Sequence, residues 1–193
     1  MKRVLLPLAP GFEEIEAVTI VDVLRRAGIE VVVAGLPGSS GAGVAEGGGP
    51  VEGSRGIHVT PDLPLAQVDP AGFEAIVLPG GLGGTEAMIA DGGLLAIVRE
   101  HHGRGKLLGA ICAAPMVLAA AGVAAGHELT SHPSVRGRLG DAVVRDAPRV
   151  VRSGHVITSQ GPGTAMEFAL ALVEELVGGE AREDLAGAMV VAT

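Results

Sequence analysis

The sequence predicts an α/β fold in which a mainly parallel β-sheet is flanked by helices on both faces. Short apolar runs alternate with helical patterns along the chain, as strand–helix–strand units require. Aromatics are scarce (three Phe, no Tyr, no Trp), so the core must be aliphatic, as buried parallel sheets are. With 193 residues, 48% of them apolar, the chain is long enough for one full core.

The elements follow in order. The run 3–9 (RVLLPLA) reads as a strand, 13–28 as a helix stopped by Gly28, and 30–36 (EVVVAGL) as a second strand. Residues 37–56 are a glycine-rich insertion, and 57–63 a short strand. Residues 74–81 (EAIVLPGG) form a strand that ends in a tight turn, followed by a helix over roughly 85–102. Strand 106–112 (KLLGAIC) leads into helix 113–121, and 127–133 and 149–159 read as strands with turns. The final helix covers 164–178, with a Thr164/Glu167 capping box and Gly178-Gly179 at its end. No repeat or second domain is visible, so a single domain over 1–193 is expected.

The formal charge of −8 argues against nucleic acid as a partner. No apolar stretch reaches the ~20 residues of a membrane span. The opening MKRVLLPLAPGFEE meets acidic residues too soon for a signal peptide, and a cytoplasmic protein is expected. One cysteine excludes an intrachain disulfide and a Cys-cluster zinc site; neither metal nor cofactor is expected.

That cysteine, Cys112, stands where strand 106–112 turns into helix 113–121. Ligands of open α/β sheets bind beyond such carboxyl ends. A sharp strand-to-helix bend presents its side chain like a nucleophile elbow, and a helix N-terminus lowers a thiol pKa, to roughly 3.5–7.5 at reactive sites. An inert core thiol is the alternative.

Two further features favour a reactive site. On a helical wheel Glu16 falls between Val23 and Ile20, within the apolar arc, whereas Glu14, Asp22, Arg25 and Arg26 share the polar side. Glu13 also points to the apolar side, at a first turn where carboxylates cap. Burial raises the pKa of a carboxyl such as Glu16 and lets it carry a proton near neutral pH. In VLPGGLGG (77–84), Gly80 and Gly81 expose backbone N–H groups that, with that of Ala113, form a candidate oxyanion hole. A dinucleotide fingerprint fails, because its third glycine would fall at Glu86. The turn SQGPGT (159–164), with Gly161 and Pro162, is a second glycine turn feeding a helix. His132, in TSHP, is the candidate proton shuttle. His101 and His102 read as C-terminal residues of a surface helix, and His58, His127 and His155 as strand or turn residues.

PGFEEIEAV, DVLRRAGIEV, VLPGG, AICAAP, TSHP and TSQGPGTAMEFALALVEEL occur in this order over nearly the whole chain. Together they resemble the ThiJ/PfpI superfamily, in the branch of the parkinsonism-associated protein deglycase and its bacterial homologues. The resemblance implies a flavodoxin-like three-layer sandwich, similar to class I glutamine amidotransferases, and a homodimer. It makes Cys112 the reactive, easily oxidised cysteine, Glu16 its protonated partner and His132 the nearby histidine. Gly81 and Ala113 match the backbone donors, and Arg26 and Arg55 the arginines near the dimer interface where an anion binds. Gln160 stands where relatives often carry arginine, which puts a three-arginine anion site in doubt. Ala113 follows the cysteine where protease-like branches have histidine, which weakens a hydrolase or peptidase reading.

What the resemblance implies is glutathione-independent glyoxalase or deglycase activity on reactive dicarbonyls such as methylglyoxal, or on glycated protein and nucleotide adducts. The rival is an oxidative-stress redox sensor or chaperone that uses the same thiol.

Overall fold

A computed structural model of the chain describes residues 1–38 and 48–191. In chain order the elements are β1 (Arg3–Leu8), α1 (Glu14–Arg26), β2 (Glu30–Gly35), β3 (Val51–Glu52), β4 (His58–Val59), β5 (Leu63–Pro64) and β6 (Ala75–Leu78). They continue with α2 (Leu82–Ala90), α3 (Gly92–Gly103), β7 (Leu107–Ile111), α4 (Pro115–Ala120), β8 (Glu128–Leu129) and β9 (Val143–Val144). The chain ends with β10 (Val150–Ser153), β11 (Val156–Ser159), α5 (Ala165–Val177) and α6 (Gly179–Ala188).

Seven strands form the main sheet in the order β10-β11-β7-β6-β1-β2-β5. Every pairing is parallel except β10 with β11, which form an antiparallel hairpin at one edge. Successive strand residues face opposite sides, so each strand feeds two cores. On one face Val4, Leu6, Leu8, Val77 and Ile111 pack with α1 and α5 residues such as Ile20, Leu24 and Phe168. On the other, Leu5, Ile76, Leu78 and Leu108 pack with Met88, Val98 and Val117 of α2, α3 and α4. The expected mainly parallel, helix-flanked sandwich is therefore present.

Several expected elements resolve differently. The helix over 85–102 is two, because the Asp91 side chain accepts from the Leu94 N–H at 2.9 Å and starts α3 anew. The strand over 57–63 divides into β4 and β5, and β4 pairs antiparallel with β3. Residues 39–47 of the glycine-rich insertion lie outside the described residues; its last part holds β3 and the turn into β4. The Thr164/Glu167 capping box is not made. The Thr164 hydroxyl turns back to Gly161, receiving its N–H at 3.0 Å, while Glu167 pairs with Arg149 at 2.7 Å. Gly178, at φ 103°, ends α5 as expected, but the chain then starts a further helix, α6.

The parallel order brings the carboxyl ends of β1, β6, β7 and β11 side by side. α1 follows β1 and the Gly80–Gly81 turn follows β6, so both reach the corner that β7 makes at Cys112.

Candidate active site

Cys112 follows β7 directly and takes a left-handed backbone conformation, φ 65°. For a residue with a side chain this costs roughly 1–2 kcal/mol. Neighbouring hydrogen bonds hold it there. The Cys112 N–H donates to Ser159 O at 3.0 Å, and Cys112 O accepts from the His132 N–H at 2.8 Å. The bend lifts the half-buried thiol out of the strand line, as the elbow reading expects.

Glu16 lies in the first turn of α1 and is fully buried. Its Oε2 accepts the Gly80 N–H at 2.7 Å. Oε1 is buried without a conventional partner, and the Cys112 thiol is the hydrogen-bonding group beside this carboxyl. Gly80 makes the approach possible: a Cβ there would lie 2.6 Å from Cys112 Cβ and 2.7 Å from Glu16 Oε2. Burial is the main reason Glu16 is raised to about 7, against the opposing Gly80 hydrogen bond.

The expectation of a thiol held low by a helix terminus is not met. Burial first, then the charge of Glu16, push Cys112 up to about 12; amides of Gly81 and Ala113 pull the other way. α4 begins only at Pro115, and its six residues give a weak dipole. Burial first and the charge of Glu16 second, rather than the helix, set the state of this sulfur.

The thiol opens into a cleft of about 370 Å³, whose lining includes Glu13, Arg55, Gly81, His132 and Pro162. His132 is exposed, and its Nδ1 accepts the Ser134 N–H at 3.3 Å. Gly161 lies against it, with a Cβ position 3.6 Å from His132 Cδ2.

Two expected roles change. Gly80 is not free to face an oxyanion, because its N–H is spent on Glu16; Gly81 and Ala113 are the amides that reach the sulfur. Arg26 lies ten residues beyond Glu16 on α1, about 15 Å away along the axis, and pairs with Asp22 at 2.8 Å, outside this cleft.

Glu14 was expected on the polar side of α1, yet it is 5% exposed. It accepts the Arg55 N–H at 2.5 Å and the Ser54 hydroxyl at 3.0 Å. The Ser54 hydroxyl also lies 3.1 Å from Glu13 Oε2, so Glu13 meets Ser54 rather than capping the helix. These carboxylates hold the β3–β4 turn over the cleft and place Arg55 there. No local signal marks this, because the partners are some 40 residues apart. Gln160 ties its side-chain amide to the carbonyls of Asp146 and Pro148, at 3.0 and 2.8 Å.

With this geometry in place, the matches to known proteins are decisive. The model of the DJ-1/PfpI family matches residues 2–175. The chain belongs to the DJ-1/PfpI family. Protein dj-1beta of Drosophila melanogaster is 47% identical over 192 residues, covering 99% of this chain and 98% of that protein. The glutathione-independent glyoxalase DJR-1.2 of Caenorhabditis elegans is 36% identical over 187 residues, covering 95% and 94%. Among solved structures, Drosophila melanogaster DJ-1beta superposes with a TM-score of 0.91 at 46% identity, covering 100% of this chain and 99% of that one. Oxidized DJ-1 of Toxoplasma gondii gives 0.89 at 36% identity, covering both chains fully. These DJ-1 neighbours share the flavodoxin-like sandwich described above. Among the described residues no helix is long and apolar enough to cross a membrane.

Proposed function

We propose that this DJ-1/PfpI chain is a cysteine-dependent, glutathione-independent glyoxalase, working as a cytoplasmic homodimer on 2-oxoaldehydes such as methylglyoxal. The supporting observation is a buried carboxyl at about 7 beside a strained, half-buried thiol that opens into a cleft. The glyoxalase relative from Caenorhabditis elegans agrees with this reading.

The pair shares its protons. Once it loses one, the negative charge rests on sulfur or on the carboxylate. On sulfur it has the Gly81 and Ala113 amides and a protonated Glu16 as donors; on the carboxylate it has mainly the Gly80 N–H. Placing the charge on sulfur gives the nucleophile.

The thiolate adds to the aldehyde carbon and forms a hemithioacetal, whose oxyanion faces the Gly81 and Ala113 amides. Glu16 gives its proton to that oxygen and, now ionised, takes the hydrogen of the same carbon as a proton and returns it to the neighbouring carbon, while the hydroxyl proton passes to the former ketone oxygen. One carbon is oxidised as the other is reduced, leaving a thioester of the 2-hydroxy acid. Water hydrolyses it, releasing lactate from methylglyoxal and restoring the thiol. His132, at the cleft, relays protons to solvent, and Arg55 with the Gly161–Pro162 turn receives the carboxylate product.

The same chemistry on early glycation adducts gives deglycase activity. Measuring adduct loss with and without an unrelated dicarbonyl scavenger separates direct repair from removal of free dicarbonyl. The redox-sensor reading has its own support: amide donors surround the sulfur and would hold a sulfinate oxygen. Peroxide titration followed by intact mass tests it. For the glyoxalase, lactate formation from methylglyoxal without glutathione is compared between wild type and Cys112→Ala. Activity should vanish in the variant; equal rates would rule out the catalytic thiol.

A further inference from the structure

Three of the six histidines come together at the opposite end of the sheet from Cys112. His102 is near the end of α3, His127 lies just before β8, and His155 is in the turn between β10 and β11. His155 O accepts the Leu108 N–H at 2.8 Å, so the cluster sits at the amino end of β7, whereas Cys112 follows its carboxyl end. The strand rise separates the two by about 15 Å.

One ring nitrogen from each of the three lies within 4.8 Å of the others. His102 Nε2 and His127 Nε2 are 3.0 Å apart. Their planes meet at 85°, and His127 and His155 at 86°, so the rings do not form a parallel stack. Two of the three rings are anchored by backbone groups. His127 Nδ1 donates to Ser153 O at 2.9 Å, which leaves its Nε2 as a lone pair. The His155 ring bonds the His102 backbone, while His155 Nε2 is buried with no partner. A backbone carbonyl on one ring nitrogen is how metal-ligating imidazoles are oriented, and a cation would displace the proton shared between His102 Nε2 and His127 Nε2.

We propose that His102, His127 and His155 form a three-imidazole site for a divalent transition-metal cation of the zinc type. Tetrahedral zinc with bonds of 2.0–2.1 Å needs ligand nitrogens about 3.3 Å apart, close to the His102–His127 spacing. The third ring completes the set by moving no more than about 1.5 Å. The fourth position is left to water. The cation joins the end of α3, the segment before β8 and the β10–β11 hairpin, three parts of the chain that share no helix or strand. It acts as a clasp for the edge hairpin, independent of the chemistry at Cys112.

The test uses full-length protein carrying Cys112→Ser, so that the thiol cannot compete for metal, after chelator treatment. Zinc titration by calorimetry should give one ion per chain, with a higher melting temperature at saturation. His127→Gln and His155→Gln should each weaken binding at least tenfold and abolish the thermal shift. Cobalt(II) added to the same protein with all histidines intact should develop the intense visible absorption of a tetrahedral site, a readout that does not depend on any histidine variant folding. Absence of saturable zinc binding, an octahedral cobalt spectrum, or binding unchanged in both histidine variants would overturn the proposal.

Discussion

The Gly80 backbone N–H donates to Glu16 Oε2 at 2.7 Å, fixing a buried carboxyl against the corner that carries Cys112. The turn after β6 thus positions the carboxyl beside the thiol at the end of β7. Gly80 has a positional task here, because the space its side chain would occupy is already filled.

Gly80→Ala tests this packing directly. The added Cβ would stand 2.6 Å from Cys112 Cβ and 2.8 Å from Ile111 O, a backbone atom that cannot swing aside. Overpacking of this kind costs about 1–3 kcal/mol. Urea denaturation should show a loss of that size, and lactate formation should fall because Glu16 and Cys112 are pushed apart.

The acid also leaves a mark on stability. Its pKa is raised from 4.5 to about 7, so the folded chain holds this proton more tightly than the unfolded one. That stabilisation is complete below the unfolded value and is lost as pH rises through the folded value. The 2.5-unit shift corresponds to about 3 kcal/mol. The stability difference between wild type and Glu16→Gln should therefore move by about 3 kcal/mol in favour of the variant from pH 4.5 to about pH 8. Denaturant unfolding across this range measures it.

Glu14 controls the roof of the cleft. Glu14→Ala removes the acceptor for the Arg55 N–H and the Ser54 hydroxyl. Losing hydrogen bonds to a charged group costs about 1.5–3 kcal/mol. Arg55 loses its fixed place, so KM for methylglyoxal should rise more than kcat falls. Steady-state kinetics read that split.

In the proposed mechanism His132 relays protons from an exposed position, where water can partly replace it. His132→Ala should lower kcat by about 10–100-fold, at or below the low end of general acid–base contributions. The loss should remain well short of that in Cys112→Ala, as initial rates of lactate formation would show.

How far the sequence reveals this site depends on the distance between partners. Cys112 is legible because an apolar run of strand length ends at it. Glu16 is legible because the 3.6-residue period places it between Val23 and Ile20. Glu14 follows the same period to the polar side, and only the returning β3–β4 turn buries it. His102, His127 and His155 read as unrelated residues because separate elements bring them together. His101, expected on a surface, is 3% exposed; burial is the first cause of its fall to about 4. The helix α6 is hidden behind Gly178-Gly179, a sequence that signals an end and says nothing of a restart.

The central claim is that the proton on Glu16 allows the charge to rest on Cys112. The ultraviolet band of the thiolate, followed against pH in wild type and Glu16→Gln, tests it most directly. The account predicts a thiolate midpoint that moves upward in Glu16→Gln, because an amide is a weaker donor than a carboxylic acid. A midpoint that is unchanged or falls in the variant would contradict it.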